Sequence, residues 1–159
     1  MSAVTLAVVL LLAGFAAADQ PAADGLARAQ AAQERADFKE ATRLLDALAS
    51  HDLSQAERAR LHQIRAAVQA GTGEYELALR SADEAERLAQ GLDNPRLRAA
   101  IEQARGAVSY RRGAPLQAIA YYKKSLEWAE RAADPGLISK SYSGLSNCYT
   151  TLDDVTPIT

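Results

Sequence analysis

Apolar residues recur along the chain at three- and four-residue intervals, in stretches long enough for several helical turns. Phe38, Ala41, Leu44, Leu45 and Leu48 form one such stripe. Leu61, Ile64, Ala67 and Val68 form a second, and Tyr75, Ala78, Leu79, Ala82, Ala85 and Leu88 a third. Leu97, Ile101 and Val108 follow, with the small Ala100, Ala104 and Gly106 among them. Leu116, Ile119, Tyr122 and Leu126, with Trp128 at the edge, make the next stripe, and Leu137, Ile138, Tyr142, Leu145 and Tyr149 the last. A weaker amphipath of Ala, Gln and Arg, from about Ala22 to Arg35, precedes them all. This period belongs to amphipathic helices, each burying one face. The breaks between stripes carry helix punctuation. Ser54-Gln55-Ala56-Glu57 reads as a capping box, in which Ser54 and Glu57 satisfy each other's free amides. Gly71-Thr72-Gly73 reads as a turn, and Gly91 as a left-handed residue closing a helix. Asn94-Pro95 and Asp134-Pro135 pair an N-cap with a proline at the first helical position. The expected class is all-α.

The breaks also repeat. Ala36-Asp37-Phe38-Lys39-Glu40-Ala41, Gly73-Glu74-Tyr75-Glu76-Leu77-Ala78 and Gly113-Ala114-Pro115-Leu116-Gln117-Ala118 share one layout. In each, a small turn residue is followed five positions later by alanine. The anchoring Ala41, Ala78 and Ala118 lie 37 and 40 residues apart. Self-similarity at such a period marks a repeat array.

Three such turns in phase resemble the tetratricopeptide repeat, where Gly-Asp-Tyr-x-x-Ala joins an antiparallel helix pair. The resemblance covers about residues 22–155 and implies a right-handed α-α superhelix, a solenoid of antiparallel pairs. The pairs fall at about 22–50, 54–91 and 95–132, with a lone helix at 135–151. Residues 156–159 are a tail or a truncation point. The lone helix is either a cap on the last open face or the start of a pair that continues in a longer protein. Ser146-Asn147-Cys148-Tyr149 resembles an internal repeat start, which favours continuation.

In this family the first helices of successive pairs line a concave face that holds extended peptides. The resemblance therefore implies a groove at Gln63, Gln103, Tyr110, Arg111, Lys140, Ser143, Asn147 and Thr150. Asn147 matches the family's Gly-Asn-x-Tyr pattern and could both donate to and accept from a peptide backbone. Arg111 and Lys140 could hold a carboxylate. The implied function is a non-catalytic interaction or sensory scaffold that binds a protein or peptide. Repeats nearer 40 than 34 residues are similar to those of bacterial signalling proteins. The alternative is accordingly an N-terminal sensor fragment of a diguanylate cyclase or histidine kinase type of protein. Its output domain would lie elsewhere, and the groove's partner could be that missing C-terminal region.

Composition narrows the picture. Hydrophobic residues make up 48% of the 159, but alanine dominates them, and Phe15, Phe38 and Trp128 are the only aromatics besides six tyrosines. Small side chains suit close helix approach better than one bulky core. The net charge of −2 is unevenly spread: −5 from Asp19 to Asp93 and +5 from Pro95 to Leu145. Solvated helix faces account for this. Arg111-Arg112 and Lys123-Lys124 near Tyr110, Tyr121 and Tyr122 mix cations with aromatics, but Tyr122 belongs to a buried stripe, and nucleic acid is not an expected partner.

Residues 1–18 carry no charged side chain, and the apolar run Val4–Phe15 leads into Ala16-Ala17-Ala18. This reads as a signal peptide cut after Ala18 and too short to span a membrane comfortably. Export to a bacterial periplasm is expected, the alternative being a tether through an uncleaved N-terminal segment. Catalytic signatures are missing: there is no phosphate loop, no His-Glu-x-x-His and no Gly-x-Ser-x-Gly. His51 and His62 read as surface or capping residues, and the single Cys148 as a buried thiol. No enzyme activity, metal or cofactor is expected.

Overall fold

The computed structural model describes residues 20–155, all in helices and short turns. Seven helices follow one another: α1 (Gln20–Glu34), α2 (Phe38–Ala49), α3 (Gln55–Thr72), α4 (Tyr75–Ala89), α5 (Pro95–Arg111), α6 (Pro115–Arg131) and α7 (Pro135–Val155). There is no strand among the described residues. The signal-peptide reading falls on residues outside that range.

Four of the turns share one backbone device. A residue in the left-handed region ends the helix, and the amide after it reaches back five residues. Asp37 N–H donates to Ala32 O (2.9 Å), Glu74 to Gln69 O (2.8 Å), Ala114 to Ser109 O (2.9 Å) and Asp134 to Ala129 O (3.1 Å). This satisfies carbonyls that the helix end leaves free. Gly73 (φ 86°) and Gly113 (φ 76°) take the left-handed position freely, whereas Ala36 (φ 58°) and Ala133 (φ 49°) take it against their Cβ. Ala36→Gly and Ala133→Gly are therefore each expected to stabilise the fold by about 0.5–1 kcal/mol. A rise in the midpoint of thermal unfolding measures this, and a fall would show that the alanines are unstrained.

The other breaks behave as their residues suggest. Ser54 and Glu57 form the complete capping box. Asn94 accepts from the Leu97 amide (3.0 Å) and Asp134 from the Leu137 amide (3.0 Å), each ahead of a proline. The anchoring Ala41, Ala78 and Ala118 are all buried.

Helices consecutive in sequence fold back against each other. In addition α1 meets α3, α3 meets α5 and α5 meets α7, while the even-numbered helices do not meet one another. The odd-numbered helices thus form a continuous layer, with the even-numbered ones along its outside. Buried side chains fall into successive clusters rather than one. Leu26, Leu45, Leu48 and Ile64 tie α1–α3 together; Ala85, Leu88, Leu97 and Ile101 join α4 to α5; Ala118, Tyr122, Leu145 and Cys148 join α6 to α7.

Helix glycines seat large side chains from the neighbouring helix. A Cβ on Gly71 would fall within 2.3 Å of the Phe38 ring, and one on Gly106 or Gly144 within 2.7 or 2.6 Å of the Tyr122 ring. Gly71 is thus a helical contact residue and not part of the turn, which begins only at Gly73. Three positions expected to be buried are exposed: Leu116 (72%), Tyr142 (55%) and Tyr149 (46%). They lie on α6 and α7, where no later helix packs among the described residues. Helix α7 also continues to Val155, a turn beyond its expected end near Thr151.

Candidate functional site

The layer of odd-numbered helices encloses a groove of about 1070 Å³. Its lining is rich in alanine, with Ala27 and Ala31 from α1, Ala67 from α3, and Ala100 and Ala107 from α5, beside the larger Leu26, Phe38, Leu97 and Leu137. Alanines at these positions leave volume where larger side chains would fill it. Polar groups stand among them, including Gln30, Gln33, Gln63 and Gln103, with Glu34, Arg60, Arg96, Asp134 and Lys140 around them.

Most of these charges are paired across helices. Arg96 Nε lies 2.7 Å from Asp134 Oδ2. Lys140 Nζ on α7 lies 3.0 Å from Glu34 Oε1 on α1, a bridge between residues 106 apart in sequence. The Lys140 hydrogen bond is the main reason the Glu34 carboxyl is held below its usual range, against a smaller opposing effect of burial. Among the described residues the backbones of α1 and α7 do not meet, and this side-chain pair bridges the two ends of the layer. Arg60 Nη2, unlike Arg96 and Lys140, donates to a neutral group, Gln30 Oε1 (3.0 Å). Burial, and secondarily the nearby Arg96, lowers its pKa.

Four of the expected groove residues come together here. Gln63, Gln103, Arg111 and Lys140 all line the groove. Arg111 is already engaged, donating through Nη1 to the carbonyls of Ala70 (2.9 Å) and Gly71 (3.2 Å) at the end of α3. The other four lie off the groove wall. Tyr110 is half-buried against the α6–α7 cluster, and its hydroxyl is 3.2 Å from Thr151 Oγ1. Ser143, Asn147 and Thr150 are exposed on α7. Ser143 and Thr150 donate to the carbonyls of Ser139 (3.0 Å) and Ser146 (3.1 Å) on their own helix. Helix α7 lines the groove only through Gly136, Leu137 and Lys140, so positions two turns further on lie past its end.

Sequence reasoning missed the contribution of α1 and the charged rim. Arg60 stands three positions before Gln63, which places both on one helix face. That spacing could have found it. The pairing of Glu34 with Lys140 leaves no local signal.

Among the described residues, no three His, Cys, Asp or Glu side chains are grouped so as to hold a metal. No described helix is long and apolar enough to cross a membrane. His62 is half-buried on the outer side near Glu84 and Arg87, and burial is the main cause of its lowered pKa. Cys148 is fully buried, and burial pushes its thiol pKa up, away from the reactive thiolate. No protein-family model, curated protein or solved structure gives a significant match to this chain.

Proposed function

We propose that residues 22–155 form a tetratricopeptide-like superhelix, a right-handed solenoid, that binds an extended protein or peptide segment in this groove without catalysing a reaction. The observation that carries the reading is the groove itself. It runs across four helices, alanines recur along it, and four glutamines, Gln30, Gln33, Gln63 and Gln103, stand on its walls, Gln30 and Gln103 already hydrogen-bonded to neighbouring groups. Small lining residues leave room for a backbone, and an amide that donates and accepts can read peptide N–H and C=O groups together. The four-fold turn device and the alternating helix layers support the repeat reading. On this proposal the chain works outside the cytoplasm, after removal of residues 1–18.

The test is site-specific photocrosslinking. A crosslinking side chain at Gln63 or Gln103 is expected to capture polypeptide, whereas the same group at Arg80, exposed on α4, is not. Equal capture at all three positions, or none at the groove positions, would refute groove binding.

A further inference from the structure

Charge in the groove does not balance. Among the described residues its lining carries four cations, Arg60, Arg96, Arg111 and Lys140, and three carboxylates, Glu34, Glu57 and Asp134. Each carboxylate is already engaged. Glu34 takes Lys140, and Asp134 takes Arg96. Glu57 stands three residues before Arg60, a spacing at which helix side chains can pair. It turns instead to the start of α3, where its Oε2 accepts from the Ser54 amide (2.8 Å) and hydroxyl (2.7 Å). Arg111 is held by the two carbonyls at the C-terminal end of α3, where the helix dipole favours a cation. Arg60 is the cation left over.

Arg60 makes no ion pair among the described residues, and its hydrogen bond goes to the Gln30 amide. Gln30 in turn donates to Glu34 Oε1 (3.4 Å), so the amide stands between the guanidinium and a carboxylate that Lys140 has taken. A guanidinium stays charged and presents five N–H donors in a planar fork. Arg60 is half-buried, and burial and the Arg96 charge both act against its cationic form, with no carboxylate offsetting them. A partly desolvated charge of this kind lacks compensation in the free chain, and an oxyanion in the groove would supply it. Gln63 stands one turn further along the same face of α3. It lines the groove and makes no side-chain hydrogen bond among the described residues.

Resting on the reading of the groove as a peptide site, we propose that Arg60, with Gln63 beside it, is the subsite for one aspartate or glutamate side chain of the bound segment. The carboxylate accepts from the guanidinium fork, and the Gln63 amide donates alongside. The size of the imbalance selects the anion. One carboxylate brings the lining to neutrality, whereas the second charge of a phosphoryl group would be left without a cation. Arg111 and Lys140, the cations that the family resemblance implied for this task, are already engaged, so the anchor moves to α3.

A library of extended decapeptides tests it on the full chain. Both termini are blocked, so that neither supplies a charge, and a single Asp, Asn or phosphoserine is scanned along an otherwise uncharged, randomised sequence. The wild type is expected to bind Asp peptides about tenfold to a hundredfold more tightly than their Asn counterparts, the range of a charge-assisted hydrogen bond. Arg60→Gln should abolish that preference and leave the affinity for Asn peptides unchanged. Arg80→Gln, the same change of charge at an exposed position on α4, should leave the preference intact. Peptides bound without a preference for Asp overturn the subsite and leave the groove reading standing. Binding to none of the peptides overturns the subsite as well, and capture at Gln63 and Gln103 then decides the groove reading separately. Phosphoserine bound more tightly than Asp overturns the choice of a single carboxylate. A preference that survives Arg60→Gln in a folded chain overturns the role of Arg60. Should that variant fail to fold, Arg60→Met, which keeps the aliphatic stem, decides the same point.

Discussion

Tyr122→Ala is expected to destabilise the fold by about 3–5 kcal/mol, as truncation of a buried aromatic does. In a chain of this size such a loss lowers the thermal midpoint on the order of 10 °C. Tyr122 is 5% exposed, and its ring fills the space left by two glycines, Gly106 on α5 and Gly144 on α7. Ala118 and Leu145 close the same cluster, so one side chain holds three helices together. Neither glycine backbone can follow the side chain inward, and truncation leaves a cavity rather than a collapse. Burial also pushes the Tyr122 hydroxyl pKa up to about 12, so the ring stays neutral throughout the usual range of pH. Tyr122→Phe keeps the ring and should keep most of the stability. Because the buried clusters are successive, the loss should be local. Hydrogen exchange in Tyr122→Ala should show α6 and α7 amides losing protection first, while those of α1 and α2 stay protected. A uniform loss along the whole chain would show instead that the clusters act as one core.

The same ring shows what the sequence made legible. Its place in a buried stripe follows from the spacing of Ile119, Tyr122 and Leu126, although Leu116 of the same stripe is exposed, and Gly106 was read among the small residues of the facing helix. Helix boundaries were readable because each turn carries a left-handed residue, a side-chain cap or both, and both are local chemistry. Gly71 deceived for the same reason: a glycine next to Gly73 looks like turn, and only the approach of Phe38 from another helix shows otherwise. Tyr142 and Tyr149 deceived differently. Periodicity reports that residues share a face and is silent on whether anything packs against it. In the groove, Gln63 and Gln103 followed from the resemblance to the repeat family rather than from any local pattern. Asn147 was not excluded by phase, because it lies on the same side of α7 as Lys140. What removes it is how far the groove extends along that helix. The Glu34–Lys140 bridge depends on how the whole layer brings α1 and α7 within side-chain reach, which no window of sequence encodes.

Arg105→Ala is the other substitution expected to act strongly, and its effect should depend on pH. The Glu102 side chain is buried against α4, and its Oε2 has no hydrogen-bond partner. Its Oε1 accepts from Arg105 Nη1 at 3.0 Å, and the same guanidinium reaches Asp83 Oδ1 at 2.8 Å. Burial raises the Glu102 pKa, and the Arg105 charge is the largest influence pulling it back. Removing one partner of a buried pair leaves a charge without compensation, which costs about 3–5 kcal/mol. The sign with pH follows from the direction of the shift. Glu102 binds its proton more tightly in the folded chain than in the unfolded one. Its ionised form is therefore unfavourable above the folded pKa, and the penalty recedes as pH falls from there toward the ordinary glutamate value. Without Arg105 the folded pKa rises further. The difference between wild type and Arg105→Ala should accordingly be greatest near about pH 8 and shrink toward about pH 4. Adding Glu102→Gln should recover part of the loss at the higher pH and remove this pH dependence. Chemical denaturation of the wild type, the single variant and the double variant at both pH values checks it. A loss that is equal at both would mean that Arg105 acts through the packing of its aliphatic stem rather than by holding the Glu102 charge.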